Sequence, residues 1–190
     1  MNENQDFSSE SNQSYWVSVI LAAGIFSVAS FVIGLLFNYA QFNSEPSGSL
    51  FSPMTLGGGF ICLATSFAGM LAVWHYAKEV DLYLTLGKGA LIGFLTGVFV
   101  ILFSTVLNEL WQFIDPDYTE KMIESTVANF EAMNMPDETK EMMIDATVDS
   151  LRNPNMFMTI LSGIPLYGIT NLITAMIGVK LFGRKKDDQF

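Results

Sequence analysis

The chain has 190 residues, 51% of them hydrophobic and only 15% charged, with 9 Lys+Arg against 19 Asp+Glu and a net charge of −10. It is too apolar for an ordinary soluble domain of this length, and too acidic for a nucleic-acid partner, which needs a basic stripe to displace phosphate counterions. With one cysteine, Cys62, and one histidine, His75, it has neither an intrachain disulfide nor a Cys/His zinc ligand set, so the sequence calls for no metal and no cofactor.

Residues 1–14 are polar and acidic, with no Lys or Arg. They lack the positive n-region of a secretory signal and are expected to form a disordered tail ahead of a single membrane domain at 15–186 and a short C-terminal tail at 187–190. Four apolar segments follow the tail, at 15–39, 53–77, 84–110 and 154–182. Each is long enough to cross a hydrocarbon core of about 30 Å as a helix. Tyr15 and Trp16, Trp74 and Tyr76, and Trp111 and Phe113 stand at segment ends, where aromatic rings favour the interface. Ser52-Pro53 and Asn153-Pro154 read as helix starts, a capping side chain followed by a proline whose missing N–H is harmless in a first turn.

The segment at 84–110 carries Gly89, Gly93 and Gly97, four residues apart on one side of a helix. In lipid such a ladder is a packing surface that lets another backbone approach closely. The triplet Gly57-Gly58-Gly59 lowers helix propensity by about 1 kcal/mol per glycine, so it predicts either close packing against the first helix or a loosened backbone lining a cavity. Pro165 predicts a kink in the last span.

The one sizeable polar piece, 115–152, contains no glycine. Asp115-Pro116-Asp117 and Met135-Pro136-Asp137 each precede apolar residues at helical spacing: Ile123, Val127 and Phe130, then Ile144, Val148 and Leu151. The reading is a hairpin of two amphipathic helices. Residues 108–156 carry eleven acids and three bases, a net −8 that an anionic leaflet would repel. Four spans put both termini on one side together with Lys78, Lys88, Lys180, Arg184, Lys185 and Lys186, while Lys121, Lys140 and Arg152 lie opposite. The positive-inside rule then predicts cytoplasmic termini and an extracytoplasmic hairpin at 115–152.

Two groups of polar residues are candidate sites. Ser27, Thr65, Ser66, Thr96 and Asn171 fall at similar depth near mid-membrane and form either polar glue between helices or a small-molecule or headgroup site. Asn108, Glu109 and Trp111 mark a candidate outer mouth, with Glu109 the ionisable group nearest the spans. The acids of the hairpin lack the glycine-centred spacing of a calcium loop and read as a solvated face. With no nucleophile–base set, phosphate loop or zinc helix in view, no catalytic residue is assigned, and an enzyme is the least favoured class.

The order of these features resembles a known family. Leu86-Gly87-Lys88-Gly89-Ala90 with Gly93, then Phe113-Ile114-Asp115-Pro116-Asp117-Tyr118, the acidic helix pair, and a last span with Gly168, Asn171 and Gly178 before a basic tail are similar to domain-of-unknown-function family 4199. The resemblance implies a small four-helix protein of the bacterial inner membrane and carries over no activity or catalytic residue. The fold expected is therefore an all-α integral membrane four-helix bundle with an amphipathic hairpin between spans three and four. Two functions are expected of such an object. One is a non-enzymatic interaction or accessory subunit, with a membrane protein or a second copy as partner. The other is a small transporter or a lipid- or small-molecule-binding protein with its site near the polar layer.

Overall fold

The computed structural model describes residues 6–49 and 51–184; residues 1–5 of the expected tail and the C-terminal tail at 187–190 lie outside them. The elements are helices α1 (Asp6–Phe42), α2 (Pro53–Thr65), α3 (Ala68–Glu79), α4 (Leu86–Ile114), α5 (Tyr118–Glu131), α6 (Asp137–Arg152) and α7 (Met156–Phe182), with no strand among the described residues. Four stretches are long and apolar enough to cross a membrane: Tyr15–Phe42, Pro53–Glu79, Leu86–Ile114 and Met156–Phe182.

Between 17% and 39% of the most apolar window of each span is buried inside the protein, so most of each span needs an apolar surrounding of its own. The distribution of side chains agrees. Val17, Ile25, Val32, Leu63, Ile169 and Leu181 face outward, while Ser18, Ser27, Ala22, Ala72, Thr96 and Asn171 are fully buried. Small and polar residues inside with large apolar ones outside is the arrangement that lipid selects, because burial of apolar surface gives no drive between helices there. The chain is a multi-pass membrane protein.

Helix α4 is the spine. It packs most extensively on α7 and also on α1 and α3, while α2 leans chiefly on α1. Gly89, Gly93 and Gly97 all face α7: a Cβ at Gly89 would run into Val179, one at Gly93 into Ala175 and the Asn171 carbonyl, and one at Gly97 into the Tyr167 carbonyl. The ladder thus joins two helices of one bundle. Val19, Val73, Tyr76, Ile92, Ala175 and Val179 form the main core at the end where the first span starts and α7 finishes, and Ala23, Ala68 and Val100 continue it toward the centre.

The first three spans run on to Phe42, Glu79 and Ile114, a few residues past the expected ends, and three features differ more. The helix of the first span runs back from Tyr15 to Asp6, into the segment read as a tail. No Gly or Pro interrupts it there. The last span starts after Asn155, not Asn153: the Asn155 side chain accepts from the Met158 N–H at 3.1 Å, and Pro154 stays in the connection. The second span is two helices, broken at Ser66 and Phe67. The Gly57 triplet is helical, started by Ser52 accepting from Thr55 N–H at 3.3 Å. Gly57 sits tightly against Phe37 of α1, and Gly58 and Gly59 face open space.

Helices α5 and α6 form the hairpin. Ile123 is buried, and Val127, Phe130, Ile144, Val148 and Leu151 are half-buried where the two helices meet. The loop between α1 and α2 lies at the same end of the bundle. Gly48, at φ +60°, brings it against the Ala132 carbonyl at the end of α5, a conformation and a closeness that a side chain would not allow. At the opposite end Arg184 N–H donates to the Leu82 carbonyl at 2.8 Å, tying the chain end to the α3–α4 connection.

Candidate functional site beneath the helical hairpin

The mid-membrane polar residues are engaged within the fold. Ser27 Oγ donates to the Val100 carbonyl at 3.2 Å and joins α1 to α4, while Thr96 Oγ1 donates to Ile92 and Thr65 Oγ1 to Ile61, each within its own helix. Asn171 is fully buried at the break of the second span. Its Oδ1 accepts from the Gly69 N–H at 2.6 Å, and its Nδ2 donates to the Tyr167 carbonyl at 2.9 Å. Thr174, one turn on, donates to the Ser66 carbonyl. A helix interrupted in hydrocarbon needs partners for its freed backbone groups, and α7 supplies one for a donor and one for an acceptor. Gly69 and Gly93 make this crossing possible, since a Cβ on either would strike the Asn171 carbonyl.

From this crossing toward the hairpin the helices part. A cavity of about 180 Å³ lies between α1, α2, α4 and α7, with Thr65, Ser30 and Asn38 among its lining residues. A second of about 390 Å³ lies between α4, α7 and the hairpin, reaching Thr105, Glu109 and Met122. Ser104, Asn108, Tyr118 and Tyr167 line both, so the two adjoin across these side chains and make up a divided cleft between the hairpin and Thr65. Asn108 Nδ2 donates to the Ser104 carbonyl at 2.8 Å. The lining supplies amides, hydroxyls and the Glu109 carboxylate, and no Lys or Arg. Such a wall suits an uncharged, hydrogen-bonding group and gives an anion no counter-charge. Of the expected outer mouth, Asn108 and Glu109 meet in this cleft, whereas Trp111 packs edge-on against Phe31 of α1 at 5.7 Å.

The roof is latched to α1. Tyr39 hydroxyl donates to Asp115 Oδ2 at 2.5 Å, Lys121 Nζ lies 2.9 Å from both carboxylate oxygens, and Asn38 Nδ2 donates to Tyr118 hydroxyl at 2.6 Å. Tyr39, Phe42 and Tyr118 stack around these bonds with centroids 5.3 to 6.0 Å apart. The Tyr39 hydroxyl, and after it the Lys121 ammonium, hold the Asp115 carboxyl below the ordinary aspartate range, and Asp115 in turn raises Lys121. Burial pushes the Tyr118 phenol up, keeping it neutral. The latch is not apparent from spacing, because Tyr39 and Asp115 are far apart in sequence; the Asp-Pro-Asp-Tyr run marked a turn and nothing more. Tyr167, Thr174 and Asn38 likewise gave no signal of their own. Among the described residues no three His, Cys, Asp or Glu side chains are placed to hold a metal ion.

Spans, ladder and hairpin define the class, a four-span helical membrane protein capped at one end. The chain belongs to the family described as protein of unknown function DUF4199, whose model matches residues 21–180. No curated protein and no solved structure matches it.

Proposed function

We propose that this is a non-enzymatic membrane binding protein, or small transporter, that takes up an uncharged hydrogen-bonding solute or lipid headgroup in the cleft under the hairpin. The observation that carries the reading is the shared wall of Ser104, Asn108, Tyr118 and Tyr167, across which the two cavities adjoin between the hairpin and the polar layer at Thr65. A site that is concave, mainly apolar and fitted with a few polar groups is where small ligands bind. The test is native mass spectrometry after gentle extraction. Ser104→Phe, which fills the common wall, loses a retained lipid or solute that the wild type carries; equal retention in both would reject the cleft.

The sidedness follows from charge. Lys78, Lys88, Lys180 and Arg184 gather at the end of the termini and the acidic hairpin at the other, which supports a bacterial inner-membrane protein with cytoplasmic termini and the hairpin outside. A reporter fused after Phe190 is expected to work only in the cytoplasm. One observation favours a second reading, an accessory subunit. Helix α6 packs on α5 and buries none of its residues, with Met142 66% exposed, so it has a face available to a partner membrane protein or a second copy. A stoichiometric partner lost on deletion of 117–151 would favour that reading over the cleft.

A further inference from the structure

A second cavity, independent of the cleft, lies where α1 ends, α2 begins and the hairpin covers both. It measures about 420 Å³, and Met54, Phe130 and Met133 give it an apolar wall. Gln41 lines it, and lines as well a neighbouring cavity of about 260 Å³ beside Lys121 and Glu124. The Gln41 side chain is 4% exposed, and its Oε1 is buried without a hydrogen-bond partner. Four of the other polar groups lining it are engaged within the protein: Thr126 donates to the Met122 carbonyl, Asn129 to the Ser49 carbonyl, and Ser52 and Thr55 bond each other. A buried acceptor left unmet is costly, on the order of 1–3 kcal/mol, and is held here beside a space large enough for a ligand.

We propose that this cavity binds a single-chain amphiphile whose head donates a hydrogen bond to Gln41 Oε1 and carries no negative charge, with its chain among Met54, Phe130 and Met133. Three observations set the class. The unmet group is an acceptor, so the head must be a donor. Lys121, the only cation among the described residues lining the pair of cavities, is held by both oxygens of Asp115, and the surrounding segment 108–156 is net −8, so an anionic head has no counter-charge. The site sits at the ends of two spans, after Phe42 and before Pro53, at the level where a lipid's head meets its chain.

The test is photolabelling of the full-length protein in lipid nanodiscs with diazirine-bearing decanol, decylamine and decanoate, the labelled peptides being mapped by mass spectrometry. Decanol and decylamine are expected to label the peptides holding Met54, Phe130 and Met133, and decanoate only weakly. Gln41→Leu keeps the volume, removes the acceptor and lowers decanol labelling about tenfold, the loss of one hydrogen bond. Its thermal midpoint stays level or rises, because the unmet acceptor is gone. Met133→Trp fills the cavity from the opposite wall and abolishes labelling, which keeps the test decisive should Gln41→Leu fail to fold. Decanoate labelling equal to decanol, wild-type labelling in a folded Gln41→Leu, or unchanged labelling in Met133→Trp would each overturn the proposal. A solvent molecule as the sole occupant would appear as absence of labelling by all three probes, and overturns it too.

Discussion

Asn171 shows how a single side chain can determine local backbone. Nothing in the sequence around Ser66 and Phe67 breaks a helix: there is no proline, and the nearest glycine is Gly69. The break is stable because Asn171 and Thr174, more than a hundred residues away, receive the freed Gly69 N–H and Ser66 carbonyl. Asn171→Leu is expected to lower stability by about 1–3 kcal/mol, since it leaves a buried donor unmet in a medium without water; thermal unfolding in detergent measures it, and a midpoint equal to wild type would refute the role. Glycines that look alike in sequence should part in the same assay. At Gly93 a methyl group would strike α7 and separate it from α4, so Gly93→Ala destabilises. At Gly58 it would meet nothing, and Gly58→Ala gains helix propensity, about 1 kcal/mol at most.

At the scale of elements, periodicity and length made the spans and the hairpin legible, because lipid obliges every backbone group in a span to find a partner inside the protein, nearly always within its own helix. The same obligation decides between the two readings of the Gly57 triplet, because weak propensity does not unwind a helix that has no water to turn to.

 Gly57 packs on Phe37 of α1 as part of an intact helical turn. What spacing cannot reveal is pairing between distant elements, and the latch of Tyr39, Asp115 and Lys121 is of that kind. Its pH dependence follows from the shifts. Asp115, lowered in the folded protein, contributes stability that is present above the ordinary aspartate pKa of 3.8 and is lost as pH falls through its lowered value. Lys121, raised, contributes stability that is present below its ordinary pKa of 10.5 and is lost as pH rises through its raised value. Hydrogen exchange in α5, taken relative to the intrinsic rate at each pH, is therefore expected to stay slow between those limits and to quicken below about pH 4. Asp115→Asn should quicken it at neutral pH; exchange unaffected by either change would show that the hairpin is held by its aromatic contacts alone.

For the whole molecule, the two ends of the bundle differ in kind. The end of the termini is closed by Tyr76, Ile92, Ala175 and Val179, all at most 6% exposed, and the crossing at Asn171 seals the middle. The hairpin end is open inside and roofed by α5 and α6. Composition announced a membrane protein and the basic residues suggested its orientation, but the cleft arises from the divergence of four helices and is written in no single segment. This contrast between a closed end and a hollow one is the basis of the proposed uptake from the hairpin side.

The most direct measurement of that claim is thiol accessibility at the floor of the cleft. Thr65→Cys is made in a Cys62→Ser background and treated with a small, neutral, membrane-impermeant thiol reagent from the hairpin side. The account predicts that the thiol is labelled, and that Ser104→Phe, which adds bulk to the wall the two cavities share, slows labelling about tenfold. No labelling, or labelling that Ser104→Phe leaves unchanged, would contradict a cleft open from the hairpin to the membrane's middle.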